Sequence, residues 1–219
     1  MNISEELLEN WCSQKGWKCA RIPEEAERTP DYILKIDGTV VYAEVKEIVA
    51  NDEEIKVLKQ LEECGCGDAY GEEPGKTVRA KIKESYGQLK RLSKRDKTSA
   101  ILVLYNNSGM AGLGRLNHYN VLTAMFGLQT VPVRVSHDSA IPVSFGPDFF
   151  GPKKSVTPEQ NSYLSGILTL YEHYQNRLVT FFYHNPHARY PVPNQLIGCE
   201  SCVQYRVSST EINWELITC

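Results

Sequence analysis

Three features of the sequence predict an α/β fold: a central mixed β-sheet with helices on its faces. Two alternating runs, YILKI and TVVYAEVK, are joined by Asp37-Gly38, a strong short-range signal for a tight β-hairpin. From Lys76 onward, Val78, Ile82, Ser85/Tyr86, Leu89 and Leu92 step by three or four, which is the spacing of a helix with one apolar side. SAILVLYN, residues 99–106, is a continuous apolar run with branched side chains, the pattern of a buried strand.

The remaining elements follow in order. Residues 4–15 place Leu7, Leu8, Trp11 and Cys12 on one side of a docking helix, with Gly16 as its C-cap. Residues 17–22 read as a short strand, followed by an acidic loop, PEEAERTP, bounded by prolines. A helix is expected over 51–63 and a mobile, glycine- and acid-rich loop over 64–75. Beyond 106, VPVRVS, IPVSFG, YLSGILTLY, RLVTFFYH, CVQYRVS and NWELIT read as strands, with a helix near 117–126. No internal repeat, low-complexity tract or linker interrupts the chain. The expectation is a single α/β domain over 1–219, with a core of about residues 1–106 and a strand-rich extension over 107–219.

With 219 residues, 42% of them hydrophobic and 23% charged, the chain can bury a core without disulfides. The start, MNISEELLENW, is acidic and amphipathic, and no run is long enough to cross a bilayer, so neither secretion nor a membrane partner is expected. Seven scattered cysteines, an odd number, point to a reducing cytoplasm. Charge is unevenly placed. Residues 1–75 carry 8 Lys+Arg against 18 Asp+Glu, 76–97 carry 9 against 2, and 98–219 carry 7 against 7. The basic segment is either a solvated helix face or a stripe that faces phosphate.

A two-residue turn at Asp37-Gly38 pairs Ile36 with Thr39 and carries the register back to Asp31 opposite Glu44. Opposed residues on antiparallel strands have Cβ atoms roughly 4.5–5.5 Å apart, and like charges there repel. Because side chains alternate, Lys46 lies on the same face as Glu44. A divalent cation shared by the two carboxylates would convert repulsion into coordination; Mg²⁺ favours oxygen ligands and keeps several waters. One such water, activated by the metal and positioned by the lysine, would serve as a nucleophile.

Pro30-Asp31, twelve intervening residues, then Glu44-Val45-Lys46 resembles the signature of the PD-(D/E)xK, or restriction-endonuclease-like, nuclease superfamily, which includes the archaeal Holliday-junction resolvases. That family's core sets this hairpin after an initial helix and before a helix and a further strand, the order expected over 1–106. The resemblance implies a metal-dependent nuclease, an endonuclease that hydrolyses phosphodiester bonds in DNA. Asp31, Glu44 and the Val45 carbonyl would hold Mg²⁺, with Mn²⁺ as a substitute, and Lys46 would orient water. Members often add an acid from the first helix. Glu5, Glu6 and Glu9 compete for that role, and Glu5 borders the apolar side most closely. Gln88 corresponds to a residue that several branches direct at the metal from the basic helix. On the same helix Lys76, Arg79, Lys81, Lys83 and Lys90 would contact the phosphate backbone of nucleic acid.

Other signals are weaker. GEEPGKT, 71–77, lacks the first glycine of a phosphate-binding loop and follows no buried strand. Cys64, Cys66, Cys199 and Cys202 could supply zinc thiolates, but the first pair has unusual spacing, and free thiols are the expectation. His184 and His187 read as part of a structured loop near the active face. Two further settings stay open: an inactive binding or scaffold protein that keeps the fold, and a homodimer or subunit of a defence or repair assembly.

Overall fold

The computed structural model describes residues 2–23, 28–68, 71–109, 112, 114–135, 143–146, 149–173, 177–193, 202–207 and 214–217. Helix α1 (Ile3–Gln14) starts at a capping box, in which Asn2 and Glu5 bond each other's backbone N–H groups. It ends at Lys15, and Gly16 follows at a φ of 69°. After β1 (Lys18–Arg21), strands β2 (Tyr32–Ile36) and β3 (Thr39–Val49) form the expected hairpin. Asp37 and Gly38 both have positive φ, 46° and 81°, which gives the chain the reversal that matches the twist of paired strands. The register runs from Ile36↔Thr39 to Tyr32↔Ala43, as the turn dictates. Of the acidic loop before it, residues 24–27 lie outside the described residues.

Helices α2 (Asp52–Cys64) and α3 (Lys76–Asp96) carry the chain over to β4 (Ser99–Asn107), which pairs parallel to β3. This crossover decides the layering. Along β3, Val41, Ala43 and Val45 face a core that includes Leu8, Trp11 and Cys12 of α1. The alternate residues Tyr42 and Ile48 face a second core with Val78, Ile82, Leu89 and Leu92 of α3. Glu44 and Lys46 share this α3 side, because side-chain direction alternates along the strand. Ser85 lies among the apolar positions of α3 and is fully buried.

The second half contributes α4 (His118–Phe126), β5 (Gln129–Thr130), β6 (Val133–Val135), β7 (Val143–Phe145), β8 (Phe149–Phe150), β9 (Gly166–His173), β10 (Arg177–His184), β11 (Cys202–Val207) and β12 (Trp214–Ile217). Four of these strands extend the main sheet, whose order is β1-β2-β3-β4-β9-β10-β11-β12. The eight-stranded sheet is mixed: β3, β4 and β9 run parallel, and β10 pairs antiparallel to β9 and parallel to β11. Strands from both halves of the chain thus share one sheet. The segments VPVRVS and IPVSFG depart from the expectation of an extended sheet. Among the described residues they pair with each other, as β6 and β7, while β5 pairs with β8. Alternation alone does not distinguish a strand of the main sheet from one in a small ladder, and Val135 and Phe145 remain exposed. The run YLSGILTLY becomes strand only from Gly166. A Cβ at that position would lie 2.5 Å from the Phe182 ring, so the close strand contact requires glycine. Among the described residues no helix is long and apolar enough to cross a membrane.

Two substitutions separate core from turn. Leu102→Ala, in the fully buried middle of β4, is expected to lower unfolding free energy by about 2–5 kcal/mol. Gly38→Ala, which forces a side chain into a left-handed position, is expected to cost about 1–2 kcal/mol. Urea denaturation of both variants checks the order.

Candidate functional site

The site forms where the hairpin ladder ends. Asp31 lies one step beyond the last strand pair, Tyr32↔Ala43. Its carbonyl accepts the Ile22 N–H at 2.8 Å, which anchors the chain entering β2. Its carboxylate accepts the Val45 N–H at 2.7 Å. Asp31 is therefore fixed against β3 beside Glu44 by a backbone donor, where the register alone would place two acids face to face.

Glu44 lies beneath α3 with no exposed surface. Neither of its carboxylate oxygens accepts a directed hydrogen bond. The Lys46 ammonium forms an ion pair with Glu44 Oε1 at 2.8 Å and lies 3.5 Å from Glu84 on α3. A buried carboxylate so weakly partnered is costly unless neutralised by a proton or a cation.

The titration behaviour follows from this geometry. Burial, aided by the neighbouring charge of Asp31, raises the Glu44 carboxyl to about 7 despite the opposing pull of Lys46. Burial also raises Asp31 above its usual range, against the Val45 N–H and the Lys46 charge. For Lys46, burial acts downward but is outweighed by Glu44, Asp31 and Glu84, so the ammonium is held above its ordinary value. Without a metal, the repulsion between the acids is relieved by a lysine placed beside them and by a proton taken up near neutral pH.

The structure distributes the other predicted residues unevenly. Gln88 reaches the hairpin from α3, donating its Nε2 to the Thr29 carbonyl at 3.4 Å, two residues before Asp31. Glu5 is engaged elsewhere: it caps α1 and its Oε2 is 3.0 Å from Arg21. Its charge still contributes to raising Asp31. Arg21 also contacts Glu9 at 3.0 Å, and Glu9 accepts the Tyr32 hydroxyl at 2.7 Å, so this network ties α1 to β1 and β2. On α3, Lys76, Lys83 and Lys90 are exposed, whereas Arg79 pairs with Glu73 and Lys81 lies 3.3 Å from Glu84. Glu84 was not singled out from sequence. Its spacing of one turn before Gln88, on the same flank of the helix, is the signal that could have revealed it.

The discounted thiols and imidazoles have structural roles or lie apart. Cys64 ends α2 and Cys66 follows it, both exposed; Cys202 is buried in β11, and Cys199 lies outside the described residues. His184 is buried, with Nε2 2.8 Å from Gln204. Among the described residues no group of three or more His, Cys, Asp or Glu side chains converges as a metal cage. Asp31 and Glu44 offer oxygens to a cation, and the buried Glu44 carboxylate, paired with Lys46 alone by charge, has the hard-ligand chemistry that a divalent ion takes. Comparison with protein-family models, with curated proteins and with solved structures finds no match.

The raised Glu44 carboxyl makes stability depend on pH. Between 4.5, its ordinary value, and about 7 the folded protein keeps a proton that the unfolded chain has lost. Stability therefore falls as pH rises through that window, by about 3 kcal/mol if Glu44 acts alone. Asp31 acts in the same direction, while Lys46 remains charged throughout the window. Denaturation of the metal-free protein across this range is expected to show the decline, and Glu44→Gln is expected to flatten it.

Proposed function

We propose that the protein is a divalent-metal-dependent nuclease of the PD-(D/E)xK type, with a restriction-endonuclease-like core, that hydrolyses phosphodiester bonds in DNA. The observation that carries this reading is the fully buried Glu44 carboxylate, its oxygens without directed hydrogen bonds, beside Asp31 and Lys46. Asp31 and Glu44 would hold the ion, with the Val45 carbonyl as a third ligand. When bound, Mg²⁺ or Mn²⁺ supplies a Lewis acid that favours deprotonation of water and offsets charge on the phosphate.

The chain's own groups have defined tasks in this scheme. Asp31 is oriented by the Val45 N–H, so its free oxygen is fixed relative to Glu44. Lys46, held protonated by the surrounding acids, donates to the attacking water and balances the charge that grows on the phosphate oxygens. The water oxygen bonds to phosphorus as the bond to the leaving sugar oxygen breaks. One water proton departs to solvent, and the leaving oxygen takes up a proton. Glu84 positions Lys46 from α3, and Gln88 braces the backbone that leads into Asp31.

One observation favours a second reading, an inactive scaffold. Lys46 already offsets Glu44 at 2.8 Å, so the fold can tolerate the acid pair without any metal. The two readings part on cleavage and on ion binding. Incubation of single-stranded, duplex and branched DNA with Mn²⁺ should yield products. Asp31→Ala and Lys46→Ala, with folding preserved, should each reduce the rate by at least about a hundredfold, the scale of losing an electrostatic contact to the transition state. Undiminished cleavage by both variants would exclude the assignment. Calorimetric Mn²⁺ binding that vanishes in Glu44→Gln is expected for the nuclease and not for the scaffold.

A further inference from the structure

On the flank of α3 turned away from Asp31, the second half of the chain brings two cations together over one aromatic ring. The Arg189 guanidinium lies 5.0 Å from the centre of the Tyr163 ring, and Lys90 Nζ lies 6.0 Å from the same ring and 5.8 Å from that of Tyr86. Aromatic faces attract cations, which accounts for their gathering. It does not neutralise them: among the described residues neither Lys90 nor Arg189 pairs with a carboxylate.

The support beneath these charges is rigid. Buried Asn185 donates its side-chain amide to the Leu164 carbonyl at 2.7 Å and accepts the His187 N–H at 2.9 Å. The Arg189 N–H donates to the Ser162 carbonyl at 2.7 Å, and Ser165 Oγ donates to the Tyr190 carbonyl at 2.6 Å. The loop after β10 is thereby tied to the segment that enters β9. Arg189 extends from a braced backbone, so less freedom is lost when it meets a ligand.

Along α3 the charge continues. Lys83 and Lys94 are exposed at seven residues before and four after Lys90, and so lie on the same outer strip. Gly87 lies between them, and a Cβ there would meet nothing within 4 Å. Glycine inside a helix costs roughly 1 kcal/mol relative to alanine, and here it leaves a shallow saddle where another backbone can approach. Lys83 to Lys90 spans roughly 10 Å of helix rise, more than a single phosphate group covers.

We propose that Lys83, Lys90 and Arg189 form a ledge that binds the phosphodiester backbone of a nucleic acid without reading its sequence. Its place in catalysis rests on the nuclease reading: a strand crossing α3 over Gly87 would meet this ledge on one flank and the acid pair, braced by Glu84 and Gln88, on the other. Binding itself does not depend on the metal site. Tyr163 is nearly covered, so the ledge clamps phosphate rather than stacking bases.

The test is fluorescence anisotropy of labelled single-stranded and duplex oligonucleotides with the full chain, in chelator, over a range of salt. Lys90→Gln/Arg189→Gln is expected to make the slope of log K against log salt shallower by about 1.8 for duplex or about 1.4 for single strands. Arg189→Lys alone, which keeps the charge, should leave the slope near that of the wild type. Lys83→Gln, a solvent-facing change that leaves the ring cluster intact, should remove about 0.9 or 0.7 by itself. Lys56→Gln/Lys59→Gln on α2 should change neither slope. An unchanged slope in the ledge variants, an equal loss in the α2 control, displacement of the oligonucleotide by inorganic phosphate at matched phosphate concentration, or wild-type binding to anionic vesicles but not to oligonucleotides would overturn the ledge. Ledge-dependent binding without metal-dependent cleavage would instead overturn the nuclease reading and leave the ledge standing. Cleavage that depends on Asp31 but not on the ledge would do the reverse.

Discussion

Glu44 is a carboxylate in the middle of β3 with no exposed surface and no directed hydrogen bond to either oxygen. A group in that position must be neutralised, and the surrounding structure offers the means: Lys46 two residues along the strand, Asp31 against the Val45 N–H, and a proton when no cation is bound. Each depends on the hairpin register. A shift of one residue would move Glu44 and Lys46 to the α1 side of the sheet and put Ala43 and Val45 beneath α3. The Asp37-Gly38 turn, by fixing the register, holds together what the proposed chemistry needs.

Helix α3 links the local hairpin to the rest of the molecule. Its apolar positions pack onto the sheet. One flank presents Glu84 and Gln88 to Lys46 and to the backbone before Asp31, and the opposite flank presents Tyr86 and Lys90 to the loop carrying Arg189. The extra strands of the second half thus do more than widen a sheet. By placing β9 beside β4, they bring Tyr163 and Arg189 up to the basic helix. The concentration of positive charge between 76 and 97 then has two fates. Arg79 and Lys81 are taken into ion pairs with Glu73 and Glu84, whereas Lys83, Lys90 and Lys94 face outward.

Much of the hairpin, the helices and the strand after them was legible because their signals are local. Asp-Gly dictates a turn from two adjacent residues, and apolar spacing of three or four marks α3 wherever that helix packs. Asp31, Glu44 and Lys46 were legible for the same reason, since turn and register together imply their proximity. For Glu5 the helix position was legible but its partner was not: besides acting on Asp31 through its charge, it accepts a hydrogen bond from Arg21, sixteen residues away in sequence and brought across by β1.

The chain order of residues therefore specified the elements, the hairpin register and the triplet at its open end, because bonding over a few residues governs each of these. Folding in three dimensions settled how deeply Glu44 is buried, that Glu84 meets Lys46, that β6 and β7 leave the main sheet, and that Arg189 joins Lys90 across about a hundred residues. Those outcomes rest on desolvation and on contacts between distant segments. Neither has a period or spacing that a linear pattern can display.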